Sequence, residues 1–296
     1  MRPIYFTGAS GNRLAADVFG DSGGPVLMLH GGGQTRHAWR KTAVAVARAG
    51  RTAYAVDQRG HGDSEWIESG AYKFHDYAAD ATALGRELAK RHSELPVAIG
   101  ASLGGMASLL AQGASAEMGE DLFGALVLVD ITPRVDANGV DKIIGFMSEH
   151  AREGFASVEE AADAVASYLP HRPRPKSNEG LQKNLRRGAD GRWRWHWDPR
   201  FLESRGPDGG DRSGLETGLV SAARRLSIPT LLVRGASSEL VKEEHVREFR
   251  NLVPHAEFAD VSGARHMVAG DQNDSFSTAI LDFLTRLPSG RVSAGV

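Results

Sequence analysis

Cysteine is absent from this chain of 296 residues, which excludes disulfides, thiolate metal sites and a cysteine nucleophile, and fits a reducing compartment. A formal net charge of −2 leaves no strong attraction for nucleic acid or an anionic membrane surface. No stretch approaches the roughly 18–20 consecutive apolar residues of a membrane span, and Met1 to Ser10 lacks the basic and apolar regions of a secretion signal. The phosphate-cradling pattern G-x-x-x-x-G-K-[ST] is missing, and the triglycine Gly31 to Gly33 lacks the G-x-G-x-x-G spacing. No residue pattern calls for a cofactor or a metal. These absences lead to the expectation of a cytoplasmic protein, monomer or homodimer, that acts on a small molecule and engages neither nucleic acid nor membrane.

What is present is a globular composition, 41% hydrophobic and 24% charged, on a chain long enough for one large domain with an inserted subdomain. Short apolar runs alternate with helical patterns. Strands are expected at 4–8, 13–19, 26–29, 52–56, 96–99 and 125–129, with helices at about 38–49, 74–92 and from 106 onward. Near-continuous apolar strands alternating with helices imply a parallel sheet covered on both faces. From about 132 to 225 the rhythm stops, and helical patterns surround a proline-rich segment, His171 to Pro175, and an aromatic-basic run, Arg192 to Asp198. Strand–helix alternation resumes with a strand at 229–235, a helix near 243–251, a strand near 256–261 and a helix at about 274–286. Residues 1–131 and 226–296 are therefore expected to form an α/β core, and 132–225 a helical cap over the strand ends.

The chemistry-bearing residues sit at those strand ends. Gly100-Ala101-Ser102-Leu103-Gly104 follows an apolar run and opens a helix, the context in which G-x-S-x-G presents a serine hydroxyl on a sharp turn. Nucleophilic acyl transfer also needs a base, an orienting acid and an oxyanion hole. His266, after the last strand, is the candidate base, since an imidazole accepts a proton near neutral pH. For the acid, Glu239 follows the strand at 229–235, while Asp130 at the end of the strand at 125–129 is its rival; the position three after Gly235 is Ser238. His30-Gly31-Gly32-Gly33 offers backbone N–H groups without side-chain obstruction. Gly32, or Gly33 beside it, is the expected donor there, with Leu103 as the second. Trp193, Trp195 and Trp197 alternate, so they share one face, as a pocket wall or as a hairpin or cap core. Gly33, His37, Trp39, Phe146 and Met147 are further pocket candidates.

Taken together, His30 to Gly33, Asp57 to Ser64, Gly100 to Gly104, Gly235 with Glu239, and Gly263 to His266 resemble the α/β-hydrolase superfamily. The resemblance implies an eight-stranded, mostly parallel sheet with a helical cap inserted after the sixth strand. It implies Ser102 as nucleophile, His266 as base and Glu239 as acid, although the family more often uses aspartate, which keeps Asp130 in contention. In the family, Asp57-x-Arg-Gly-x-Gly-x-Ser64 is structural. The expected activity is hydrolysis of a carboxylic ester of a small hydrophobic or aromatic substrate through a serine acyl-enzyme. Lactone hydrolysis, C–C bond hydrolysis and cofactor-free perhydrolysis use the same groups, and a non-catalytic ligand-binding protein is the alternative of another class.

Overall fold

The computed structural model of the protein describes residues 1–170, 177–203, 212–261 and 274–287. Strands β1 (Arg2–Thr7), β2 (Arg13–Phe19), β3 (Pro25–Leu29), β4 (Thr52–Val56), β5 (Val97–Ala101), β6 (Ala125–Val129), β9 (Thr230–Gly235) and β10 (Glu257–Val261) form one eight-stranded sheet. Its order is β1-β2-β4-β3-β5-β6-β9-β10. Only the pairings of β2, to β1 and to β4, are antiparallel. The mostly parallel sheet expected from the sequence is therefore present.

Because β3 to β6 and β9 are apolar at successive positions, both sheet faces are buried, as a parallel sheet requires. Alternate residues divide between two layers. Leu27, Leu29, Leu126 and Leu128 face the side of α2 (Phe74–His92) and α3 (Leu103–Glu117). Val26, Met28, Val127 and Val129 face the side of α1 (Arg40–Arg48) and α10 (Asp274–Arg286). Trp39, in the short 3-10 helix Arg36–Trp39 ahead of α1, is 1% exposed in that second layer. Its expected place in a substrate pocket is thus corrected: this ring packs under the sheet.

Between β6 and β9 lie α4 (Ala137–Glu149), α5 (Val158–Tyr168), α6 (Glu179–Gln182), β7 (Leu185–Arg187), β8 (Trp193–Trp195), α7 (Arg200–Glu203) and α8 (Arg212–Arg224). The segment is not wholly helical. β7 and β8 pair as an antiparallel hairpin, and Phe155 bridges to Trp193. α8, placed with the cap by sequence, packs on α3: Leu219, Ala222 and Ala223 join the α2–α3 layer, and a Cβ on Gly113 would overlap Ala222. Helix α9 (Glu243–Leu252) links β9 to β10. Among the described residues no helix is long and apolar enough to cross a membrane.

Register positions the site. Leu29 pairs with Gly100, Ala101 with Val129, and Val129 with Val233. The residues after β3, β5, β6 and β9 consequently emerge side by side at the carboxyl edge, with neighbouring strands about 4.8 Å apart.

Candidate active site

Ser102 joins β5 to α3 with φ 46° and ψ −112°, a conformation that costs a side-chain-bearing residue on the order of 1–3 kcal/mol. The turn is held by Ser102 N–H donating to Val129 O (3.2 Å) and Met106 N–H donating to Ser102 O (2.9 Å). Its sharpness explains the flanking glycines. A Cβ on Gly100 would overlap the Gly104 carbonyl, and one on Gly104 would overlap the Leu29 carbonyl. Ser102 lines a cavity.

The glycine loop after β3 is fixed by histidines. His30, fully buried, donates from Nδ1 to Gly31 O (2.8 Å) and accepts Gln58 N–H at Nε2 (3.0 Å). His61, also fully buried, donates from Nδ1 to Arg59 O (2.9 Å) and accepts Gly33 N–H at Nε2 (3.1 Å). From the inserted segment, His196 accepts Gly62 N–H at Nδ1 (2.7 Å) and donates from Nε2 to Gly33 O (3.1 Å). Both backbone groups of Gly33 are therefore occupied, and each ring must be neutral to accept its N–H. Burial pushes His30 below its ordinary pKa and pushes His196 down to about 4. With Gly33 N–H engaged, Gly32 is left as the donor of this loop: its N–H has no acceptor among the described residues. Leu103 N–H opens α3, where no intrahelical carbonyl is available. Gly32 and Leu103 are the two backbone donors named from the sequence.

The two candidate acids differ in setting. Asp130 is 1% exposed, has φ 52°, and accepts Gly235 N–H (3.2 Å) and Ser238 Oγ–H (2.7 Å). It stands one strand from Ser102. Glu239 is half-buried and lies against the inserted segment: its backbone carbonyl abuts Gly139 of α4, and its charge helps burial raise Tyr168 to about 12. His266, the expected base, lies outside the described residues, as do His171 to Pro175. Asp57 is structural, as the motif implies: its backbone carbonyl accepts the Ser64 hydroxyl (2.5 Å), its carboxylate accepts Asp63 N–H (2.9 Å), and it forms an ion pair with Arg36.

Two cavities flank this edge. The larger, about 300 Å³, is lined by Gly32, Gly33, His37, Phe146, Met147, Trp195 and Trp197, together with Gln34, Thr35, Ala38, Arg40, Val165, Tyr168, Leu169, Gly180, Leu181, Lys183 and Asn184. The smaller, about 110 Å³, contains Ser102 and the apolar side chains Met106, Ile131, Val135, Val140, Ile143, Ile144, Leu215, Leu219 and Leu240. Gly33, His37, Phe146, Met147 and Trp195, candidates named from the sequence, are brought together on the larger cavity. Trp193 is not: it lines neither cavity and packs against the cap core around Phe155. Sequence reasoning missed His196, Tyr168 and Asn184, which reach the site only through the fold of the cap. Among the described residues no three His, Asp or Glu side chains gather as metal ligands.

Comparison with known proteins agrees with this architecture. The family profile described as alpha/beta hydrolase fold matches residues 24–271. Esterase Rv0045c of Mycobacterium tuberculosis is 32% identical over 268 residues, spanning 88% of this chain and 82% of that protein. The 2-(acetamidomethylene)succinate hydrolase of Mesorhizobium japonicum is 29% identical over 276 residues, spanning 92% of each chain. The crystal structure of E-2-(acetamidomethylene)succinate hydrolase superposes with a TM-score of 0.79 at 26% identity, covering 96% of this chain and 100% of that one.

Proposed function

Given that the chain belongs to the α/β-hydrolase family and, like its relatives, is a hydrolase with support for ester cleavage, we propose that it hydrolyses carboxylic esters through an acyl-enzyme on Ser102. The observation that carries this reading is the Ser102 turn itself, φ 46° at the end of β5, at a residue that lines a cavity. In this reading Ser102 Oγ attacks the ester carbonyl and passes its proton to His266. The tetrahedral oxyanion is held by Gly32 and Leu103 N–H, each such donor being worth about 10²–10³ in rate. The imidazolium returns the proton to the leaving alcohol, and water then attacks the acyl-enzyme by the same route.

For the orienting acid we favour Asp130 over Glu239. A buried carboxylate with two of its sites held by Gly235 N–H and the Ser238 hydroxyl is aimed and rigid, which is what fixing an imidazole tautomer demands. Glu239, half-buried where Asp130 is buried, has the weaker claim.

The test is turnover of a p-nitrophenyl ester series together with fluorophosphonate labelling. Ser102→Ala is expected to abolish labelling and lower kcat by about 10⁶. Absence of both turnover and labelling in the wild-type protein would exclude the reading, and a binding role would take its place.

A further inference from the structure

We propose that the larger cavity beside Gly32 is a subsite for a carboxylate carried by the substrate, so that the preferred ester is anionic, with an apolar or aromatic body leading to the charge. The inference rests on the serine-hydrolase reading and adds the substrate class.

The charges of the two cavities carry it. Around the smaller cavity the ionic side chains neutralise one another: Arg212 pairs with Asp141 (3.1 Å), and Glu216 approaches Arg134 (3.8 Å). Around the larger one, among the described residues, no aspartate or glutamate contributes to the lining, whereas Arg40 and Lys183 both do. Both are exposed, and neither forms an ion pair among the described residues. Of the nearby carboxylates, Asp17, Asp57 and Asp63 gather on Arg36, and Glu239, whose charge reaches Tyr168 on the wall, lies outside the lining. Asn184 adds a neutral donor: Thr35 Oγ–H donates to its Oδ1 (3.4 Å), which leaves the amide NH₂ available to an acceptor. A guanidinium, an ammonium and an amide NH₂ form a donor set that no carboxylate among the described lining residues matches. Planar oxygen acceptors of negative charge satisfy such a set. Deeper in, Phe146 stacks on Tyr168 (4.2 Å) beside Trp195 and offers an apolar wall for the body of the ligand.

The experiment compares matched phenyl esters, corrected for spontaneous hydrolysis. One pair carries the charge on the acyl side, phenyl hydrogen glutarate against phenyl 4-carbamoylbutanoate. The other carries it on the alcohol side, 4-butyryloxybenzoate against 4-butyryloxybenzamide. In at least one pair the carboxylate is expected to be favoured about five- to tenfold in kcat/KM, expressed in KM, as two solvent-accessible ion pairs allow. The preference should decline as salt shortens the screening length, and the Arg40→Gln/Lys183→Gln double variant should collapse the ratio towards one. Turnover of neutral and anionic members at equal efficiency, or a ratio that survives in the double variant, overturns the subsite and leaves ester hydrolysis standing. If no member is turned over and fluorophosphonate does not label the protein, both readings fall together.

Discussion

The two cavities, one containing Ser102 and the other Gly32, are built on opposite principles. The smaller is walled by aliphatic side chains of α4 and α8 and by the sheet edge, with its rim charges cancelled in pairs. The larger is walled by aromatic rings and a glycine loop clamped at both backbone groups of Gly33, and its rim charges are of one sign. Helix α4 serves both, with Ile143 in one and Phe146 and Met147 in the other. The difference separates two tasks. The sheet edge fixes the proposed reacting groups by register, and the inserted segment shapes what surrounds them.

After Ser102→Ala, the largest expected effect tests which strand end of the edge supplies the orienting acid. Asp130→Asn should lower kcat by about 10⁴ while leaving KM near the wild-type value, because an amide favours the wrong imidazole tautomer. Glu239→Gln should change kcat less than about threefold, with steady-state kinetics on one ester reading both. The reverse ranking would move the orienting acid from the end of β6 to the loop after β9, which packs against α4 of the cap.

Much of that edge was legible from sequence. The strands of the sheet are short apolar runs ending in glycine or a polar residue, so their ends, and hence the positions of His30, Ser102 and Asp130, could be read directly. The choice of acid was less legible, although one clue was visible: Ser238 stands where a carboxylate was sought, and its hydroxyl donates to Asp130. The cap resisted reading for a physical reason. Strands of three residues such as β7 and β8 carry no measurable period, and His196 acquires its role only when the hairpin folds back on Gly33 and Gly62. Trp39 misled because an aromatic ring beside a glycine loop suits a pocket as well as a core. Its burial under the sheet is a tertiary outcome.

His196 also offers the next test, since it bolts the cap to the loop that walls the larger cavity. His196→Gln should lower kcat about tenfold or more and affect KM less, by loosening Gly33 and with it the Gly32 N–H. The pH sign follows from its depressed folded-state pKa of about 4. An unfolded imidazole titrates near 6.5, so the unfolded chain binds the extra proton between those values. The stability associated with the neutral ring is complete above about pH 6.5 and is lost as pH falls through about 4. The loss amounts to about 3 kcal/mol and is constant below both values. Melting temperatures followed from pH 7 to 4 should show that decline in the wild type and a shallower one in His196→Gln. Equal slopes would mean that the buried ring does not govern acid stability.

The smallest expected effect probes whether the cavities are independent. Leu215 of α8 is half-buried on the wall of the smaller cavity, and a tryptophan there would fill much of its volume of about 110 Å³. One methylene in an apolar pocket changes discrimination by about 1–3 kcal/mol. Leu215→Trp should therefore lower the hexanoate-to-acetate ratio of kcat/KM for p-nitrophenyl esters by about tenfold, with acetate itself changed little. The carboxylate preference assigned to the larger cavity should not move. If blocking the apolar side shifts both ratios together, the two cavities act as one continuous channel. Charge and chain length would then be read by the same groups, and the division of labour along α4 would have to be abandoned.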